Sequence, residues 1–175
     1  MYCMLLCCVN GSAIFPFSCL PTLLYTTHYD APYPRYSLQI SVMAQVVGDY
    51  ISQGFEVIFT GDFNDFDASV VDANNNMPIS RVMDIAKGLD SPTTAPWSLE
   101  NVASLMPQTD RYTCWWDSNS DCVYEKNETS MIDHVLVTPG LLSKISHVFF
   151  DHGAFTPACD SFYSDHWPLV VDFQF

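Results

Sequence analysis

Basic residues are scarce in this chain of 175 residues, which has six Lys and Arg against twenty Asp and Glu and a formal net charge of −14. Because proteins bind the nucleic-acid backbone through clustered Lys and Arg, this balance excludes a broad electrostatic attraction to DNA or RNA. An acidic protein can still act on phosphates when a bound cation reverses the local field. The composition therefore favours metal dependence over strong nucleic-acid binding.

The sequence also lacks an uninterrupted apolar run of the roughly 20 residues that a membrane span needs, so no transmembrane span is expected. Asn10, Pro16 and Pro21 break the apolar stretch at the amino end, and no Lys or Arg precedes it as a signal peptide would require. We predict that residues 1–22 are an apolar lead-in, either signal-like or an artefact of a misread gene start. Residues 23–175 are then a single domain.

The seven cysteines contain no pairs with zinc-site spacing, and their odd number leaves at least one unpaired within the chain. Cys114 and Cys122 flank an acidic loop, where a disulfide and two free thiols are both compatible with the sequence. Asn10-Gly-Ser12 and Asn127-Glu-Thr129 match the glycosylation pattern. Together these features favour a secreted or extracellular location.

What is present is a succession of helix and strand signals. Apolar residues recur at helical spacing from Arg35 to Ser52, and Gly54 follows, which predicts a helix. The near-continuous apolar run Phe55–Thr60 is typical of a buried central strand. Further strands are predicted at 23–28, 112–116, 131–138, 145–151 and 167–175, with short helices near 79–87 and 99–105. The pattern predicts a mixed α/β fold.

Polar residues stand at three predicted strand ends. Gly61-Asp62-Phe63-Asn64 follows the central strand, where α/β sheets place their ligands. Asp133 lies in an apolar strand and needs a partner, because an unpaired buried carboxylate costs on the order of several kcal/mol. His166, which follows Asp165, is the natural candidate, since a carboxylate on one imidazole nitrogen fixes the tautomer. Together these side chains suit metal-assisted attack on a phosphate.

Two further histidines lie near these motifs. His134 points to the opposite strand face from Asp133 and is predicted to be structural. His28 ends the predicted strand 23–28, which one helix separates from the Asp62 strand. The ends of these two strands could therefore lie close together.

These strings, in this order, resemble the endonuclease/exonuclease/phosphatase superfamily, the deoxyribonuclease-I-like phosphoesterases, over about residues 23–175. That family has a Thr-His motif, a Gly-Asp-x-Asn motif, an Asp in a late apolar strand and a Ser-Asp-His-x-Pro motif, and all four occur here. The resemblance implies a four-layered α/β sandwich with a mixed, mostly antiparallel sheet. It also implies phosphoester hydrolysis with Mg²⁺ or Mn²⁺, on nucleic acid, phospholipid or a small diester. The low basicity favours the last two.

The resemblance further implies a role for each matching residue. His166 would be the general base or the contact to the scissile phosphate, and Asp133 would orient it. Asp62 would position and activate the attacking water, while Asn64 would hold the phosphate. His28 would stabilise the transition-state charge or the leaving oxygen. The residue beside His166, Asp165, would help to bind Mg²⁺.

The chain departs from the family at its amino end. The family begins with a strand bearing an Asn, followed by a Gln-Glu motif whose Glu is the main metal ligand, whereas no Glu precedes Glu56 here. The chain thus resembles the second half of the sandwich, with the amino-terminal half missing. We expect little hydrolytic activity from it.

Residues 117–128 resemble a calcium loop. Oxygen-bearing side chains occupy the first, third, fifth, ninth and twelfth positions of an EF-hand-like count, namely Asp117, Asn119, Asp121, Glu125 and Glu128. Cys122 stands at the sixth position, where an EF-hand has Gly. Both a Ca²⁺ site that braces the loop and a solvated acidic loop fit this pattern. A catalytically inactive, calcium-stabilised binding module and a non-functional fragment are therefore the alternatives to a phosphoesterase.

Overall fold

The computed structural model describes residues 5–10, 18–20, 34–90, 97–154 and 164–175, with side chains from residue 39 onward within these ranges. The predicted strand 23–28 and its His28 lie outside the described residues. Within the described ranges, no helix combines the length and apolar character that a membrane crossing requires.

The described residues form short strands interspersed with helices and 3₁₀ turns. The strands are β1 (Leu5–Asn10), β2 (Ser18–Leu20), β3 (Phe55–Asp62), β4 (Glu100–Asn101), β5 (Cys114–Trp115), β6 (Thr129–Ser130), β7 (Asp133–Val137), β8 (Ile145–Phe150) and β9 (Leu169–Phe173). The α-helices are α1 (Pro34–Ser52), α2 (Val82–Ala86) and α3 (Pro139–Leu142). The 3₁₀ turns are Val102–Leu105, Gln108–Asp110 and Lys126–Glu128.

Strand β3 is the centre of the main sheet, whose order among the described residues is β2-β1-β3-β7-β4. Its pairings are antiparallel throughout. The apolar run of β3 suits this position, because a central strand covered on both faces has few solvated side chains. The register pairs Ile58 with Val137 and Asp62 with Asp133. Antiparallel pairing therefore brings the end of β3 and the start of β7 to the same edge of the sheet.

Helix α1 covers one face of this sheet. Its buried residues Ile40, Met43 and Val47 belong to one apolar cluster with Val57 and Phe59 of β3. Their spacing places them on a single helical stripe, as an amphipathic helix requires. Burying a side chain of this size stabilises the fold by roughly 1.5–3 kcal/mol. The helix thus packs against the strand that ends in Asp62.

The pair of strands β8 and β9 contacts the other face. Val135 and Val137 of β7 share an apolar cluster with Leu169 and Val171 of β9. Leu136 instead belongs to the cluster of helix α1, so alternate residues of β7 face opposite layers, as strand geometry requires. The predicted α/β class is confirmed, and the four-layered arrangement stays a prediction.

Predicted and observed elements agree for α1 and β3, and most later strands are shorter than predicted. The helix predicted near 99–105 is wrong in its first part, since Glu100–Asn101 is a strand and Val102–Leu105 a 3₁₀ turn. The Asn101 side chain accepts the N–H of Ala103 and so starts the turn directly after the strand. Pairing of Asn101 with Leu136 in the sheet overrides the local helical signal.

The stretch predicted to be a lead-in contains β1 and β2. Strand β1 pairs with β3 from Leu5, opposite Thr60, to Asn10, opposite Phe55. The boundary at residue 22 itself stays a prediction.

Candidate active site

The ends of β3 and β7 bring two carboxylates together. Asp62 is the last residue of β3, Asp133 is the first of β7, and the register places them directly opposite one another. Asp62 is 8% exposed. Two like charges at the edge of a core disfavour joint ionisation unless a positive group lies beside them.

The third residue of the site, His166, is positioned by hydrogen bonds between its neighbours and residues 113–115. The N–H of Trp115 donates to the carbonyl of Asp165 at 3.0 Å, and the N–H of Trp167 donates to the carbonyl of Thr113 at 2.7 Å. His166 lies between these two hydrogen bonds and bridges Cys114 of β5. The backbone of residues 113–115 therefore sets the position of the Ser-Asp-His motif.

Thr113 also joins this motif to β7. Its hydroxyl oxygen accepts the N–H groups of Ile132 and Asp133, each at 3.1 Å. Thr113 is fully buried, so these hydrogen bonds are shielded from water. Sequence reasoning missed this residue, because a buried Thr directly before a short strand gives no local signal of a link to two distant segments.

Asp133 and His166 form a hydrogen-bonded pair. The Nδ1 atom of His166 lies 2.7 Å from Oδ2 of Asp133, so the predicted partner of this carboxylate is found. Because an ionised carboxylate only accepts, Nδ1 carries a hydrogen in this bond, and Nε2 takes no part in it. Burial alone would lower the pKa of His166, but the hydrogen bond and charge of Asp133, helped by Asp62, raise it to about 9.

Asp62 has one satisfied and one unsatisfied oxygen. Its Oδ1 accepts the N–H of Asn64 at 2.8 Å, and Asn64 adopts a left-handed backbone with φ of 51°. Its Oδ2 is buried and has no hydrogen-bond partner. Burial, followed by the charge of Asp133, raises the pKa of Asp62 to about 7. The Oδ2 atom of Asp62 is therefore a buried acceptor that a cation or a hydrogen-bond donor would satisfy.

The three side chains Asp62, Asp133 and His166 lie close enough together to surround a divalent cation. Their donor atoms all lie within 4.8 Å of one another. Two ionised carboxylates at this distance repel by about 3.5 kcal/mol at an effective dielectric constant of 20. Mg²⁺ and similar hard cations prefer carboxylate oxygens and would relieve this repulsion. Since Asp62 Oδ2 lacks any partner, the residues present fit such an ion.

The other predicted site residues lie at different distances from this group. Asp165 borders it, with Oδ1 3.9 Å from Nε2 of His166, and its side chain is 50% exposed. Asn64 lies in the loop after β3 and is half-buried. His28 lies outside the described residues. The structure thus brings Asp62, Asp133 and His166 together, and the assignment of Asp165 to Mg²⁺ stays a prediction.

His134 has a structural position, as its strand face predicts. It is 1% exposed and contacts the edge of the Phe63 ring. Its Nε2 lies 3.0 Å from the carbonyl oxygen of Asp65, and its Nδ1 lies 3.0 Å from Nδ2 of Asn101. Burial lowers the pKa of His134 below its ordinary value, which keeps the ring neutral.

The candidate calcium loop is held by its own hydrogen bonds. Asp117 accepts the N–H groups of Asp121 and Cys122, and Asp121 accepts the N–H of Val123. The buried Glu128 accepts from Trp115 Nε1 at 3.0 Å, and Ser118 donates to it through both its N–H and its hydroxyl. The other candidate ligands, Asn119 and Glu125, are exposed. Binding of Ca²⁺ to this loop stays a prediction.

Cys114 and Cys122 differ from both expectations for them. Cys114 is a free, buried thiol, whereas Cys122 is disulfide-bonded. They are therefore neither joined to one another nor both free. Burial raises the pKa of Cys114 to about 12, so this thiol stays protonated and unreactive.

Comparison with known proteins gives a family for this chain. The model of the Endonuclease/Exonuclease/phosphatase family matches residues 4–166, a stretch that includes β1 as well as all three residues of the Asp-Asp-His group. No curated protein shows significant similarity to the chain.

Proposed function

The chain belongs to the endonuclease/exonuclease/phosphatase family, whose members are phosphoester hydrolases that generally use divalent metals, and we propose that it hydrolyses a phosphoester with the help of Mg²⁺ or Mn²⁺. The observation that carries this proposal is the buried, unpartnered Oδ2 of Asp62 beside the Asp133–His166 pair. A buried carboxylate oxygen without a partner costs on the order of 1–3 kcal/mol, and a bound cation or substrate water removes that cost.

Each side chain of the site has a separate proposed role in hydrolysis. Because its pKa is raised to about 9, His166 is mostly protonated near neutral pH. Oriented by Asp133 through Nδ1, it would donate from Nε2 to the phosphate, and it would act as a base toward the attacking water only after losing that hydrogen. Asp62 positions and activates that water, while the amide of Asn64 holds a phosphate oxygen. His28 and Asp165 are proposed to stabilise developing charge and to assist the cation, respectively. The carboxylates of Asp62 and Asp133 would hold the cation, which would supply positive charge beside the reacting phosphate.

We propose further that these 175 residues turn substrate over slowly. No Glu precedes Glu56, so the family's main metal ligand has no counterpart in this sequence. The carboxylates that remain would hold a cation in a less complete site, since Mg²⁺ demands near-octahedral coordination.

The test is hydrolysis of bis(4-nitrophenyl) phosphate with and without Mg²⁺ or Mn²⁺. We expect slow hydrolysis that EDTA and Asp62→Asn abolish. The matched control is Asp172→Asn, which removes an exposed carboxylate on β9 and should leave the rate unchanged. Equal rates with and without metal would contradict the proposed function. A turnover number in the ordinary enzyme range of about 1–10³ s⁻¹ would refute the proposed impairment.

The placement of the basic side chains supports a small diester or phospholipid as substrate. Most of those described are engaged elsewhere: Arg81 with Asp90, Lys87 with Asp67, Arg111 with the carbonyls of Met106 and Val71, and Lys126 with the carbonyl of Thr109. A polyanion needs several free cations along its backbone. We expect no anisotropy change when a fluorescent single-stranded or duplex DNA is titrated with the protein at about 0.15 M salt, and tight binding would refute this preference.

An extracellular or otherwise oxidising location is also proposed. The disulfide at Cys122 supports it, because such bonds persist mainly outside the reducing cytosol. The sequon at Asn127 lies on an exposed residue, where a glycan can be attached. Detection of the native protein in a reducing compartment, without a glycan, would contradict this proposal.

A further inference from the structure

A directed chain of hydrogen bonds runs through buried residues on the face of β7 opposite Asp133. Its middle is His134, whose Nε2 faces the carbonyl oxygen of Asp65 at 3.0 Å. Because a carbonyl only accepts, Nε2 carries the hydrogen, and Nδ1 therefore accepts from the amide of Asn101 at 3.0 Å. The imidazole is thus fixed in one tautomer and one orientation.

Asn101 uses every polar atom of its side chain. Its second amide hydrogen donates to Oδ2 of Asp67 at 3.1 Å, and its Oδ1 accepts the N–H of Ala103. Asp67 in turn accepts from Lys87 Nζ at 3.0 and 3.1 Å. Asn101 and Asp67 are 1% and 3% exposed. A fully satisfied buried network of this kind resists displacement of any one member.

The network joins the two segments that carry the acidic residues of the site. Asp65 is three residues beyond Asp62, and its carboxylate accepts the N–H groups of Ile79 and Ser80, which fixes the far end of the loop. His134 directly follows Asp133. The hydrogen bond from His134 to Asp65 therefore spans the loop after β3 and the start of β7.

This connection opposes a force that the site itself creates. The carboxylates of Asp62 and Asp133 have donor atoms within 4.8 Å of one another, and their mutual repulsion pushes the two strand ends apart. The backbone pairing of β3 and β7 ends at these residues. Beyond that point, the His134–Asp65 hydrogen bond and the N–H of Phe63, which donates to the carbonyl of Ile132, hold the loop to β7.

We propose that His134 and Asn101 are positioning residues, which hold the loop after Asp62 against β7 and so set the spacing between the carboxylates of Asp62 and Asp133. The inference rests on the proposed function, since the spacing matters for a cation and a phosphate bound between these groups. Neither residue touches the reacting atoms. Their contribution is a fixed separation that the repelling carboxylates would not keep by themselves.

The test compares two substitutions at His134 with a control of matched stability. His134→Phe keeps a ring and loses both hydrogen bonds, whereas His134→Gln keeps an amide N–H that can donate to the Asp65 carbonyl. Ile40→Ala in helix α1 is the control, because it lowers stability through the apolar core without touching the network. Asn101→Ala is the second variant, which removes the donor to His134 should His134→Phe fail to fold.

Two readouts are taken on each variant. The first is the downfield proton resonance of the His166 Nδ1–H that donates to Asp133, observed by NMR without metal or substrate. The second is the dissociation constant for Mn²⁺ from isothermal titration. We expect His134→Phe and Asn101→Ala to broaden or shift the resonance and to weaken Mn²⁺ binding by about 10-fold or more, as for other residues that support metal ligands. His134→Gln should recover part of both, and Ile40→Ala should leave both unchanged.

A His134→Phe or Asn101→Ala protein that keeps the resonance and binds Mn²⁺ as Ile40→Ala does would overturn the inference. A His134→Gln protein whose His166 resonance and Mn²⁺ affinity are the same as those of His134→Phe would also overturn it. If the unmodified protein neither binds Mn²⁺ nor hydrolyses a diester, the proposed function fails. The resonance then decides the inference by itself, because it needs neither metal nor turnover.

Discussion

Replacing Lys87 with Met removes one partner of a buried ion pair, and the structure predicts a substantial loss of stability from it. Lys87 is 6% exposed, and its Nζ contacts both carboxylate oxygens of Asp67, itself 3% exposed. The Met side chain fills a similar volume and has no charge. The substitution therefore leaves the Asp67 carboxylate buried without its counter-ion.

The expected loss is about 3 kcal/mol, the lower end of the roughly 3–5 kcal/mol seen when one partner of a buried ion pair is removed. The lower end applies because Asp67 keeps its hydrogen bonds from Ser69 and Asn101. With a urea dependence of about 2 kcal/mol per molar, the unfolding midpoint should fall by about 1.5 M. The double variant Asp67→Asn/Lys87→Met should recover part of this loss, since it removes the uncompensated charge.

The assay is urea unfolding followed by tryptophan fluorescence and circular dichroism on the three proteins. A midpoint for Lys87→Met within about 0.3 M of the unmodified protein, a difference of about 0.6 kcal/mol, would refute the reasoning. A double variant less stable than Lys87→Met would refute it as well, because the charge left on Asp67 would then not be the source of the loss.

The pH dependence of the same comparison has a definite sign. Burial alone would raise the pKa of Asp67, but the hydrogen bonds from Ser69 and the charge of Lys87 hold it below its ordinary value of 3.8. A carboxyl with a depressed pKa in the folded state stabilises the protein above its unfolded pKa, and this stabilisation is lost as the pH falls through the folded value. The difference between the unmodified protein and Lys87→Met should be largest near neutral pH and should shrink as the pH falls toward and below 3.8.

Three further predictions concern the site, the core and the acidic loop. Asp133→Asn should lower the rate of diester hydrolysis by about 100-fold or more while the fold is kept, because His166 loses the group that fixes its tautomer; an unchanged rate with an unchanged circular dichroism spectrum would contradict this. Phe59→Ala, at a fully buried position, should cost about 3–5 kcal/mol in urea unfolding, and a loss below about 1 kcal/mol would show that the site is not in the core. If residues 117–128 bind Ca²⁺, isothermal titration should show heat that Asp117→Ala abolishes, whereas no heat in either protein would favour the solvated loop.

The sequence predicts those parts of the fold and site that local chemistry determines. Helix α1 follows from its apolar spacing, and β3 follows from its apolar run. The pairing of Asp133 with His166 follows from the cost of an unpaired carboxylate in an apolar strand. In each of these cases the information lies within a few residues, or in one residue that needs a partner of known chemistry.

The sequence does not predict features that depend on register between distant segments. Thr113 can link the start of β7 to the His166 segment only because β5 lies between β6 and the segment that contains His166. Asn101 looks helical in its local setting and becomes a strand residue when it pairs with Leu136. The pairing of β1 with β3 is of the same kind, because nothing within residues 5–10 specifies the strand that they join.

The measurement that tests the central claim most directly is isothermal titration of Mn²⁺ into the unmodified protein, Asp62→Asn and Asp117→Asn. Both substitutions replace a carboxyl group by an amide, but only Asp62 belongs to the Asp-Asp-His group. The account predicts a Mn²⁺ site that Asp62→Asn abolishes or weakens by about 10-fold or more, and that Asp117→Asn leaves intact. Mn²⁺ binding that survives Asp62→Asn unchanged, or no binding to the unmodified protein, would contradict it.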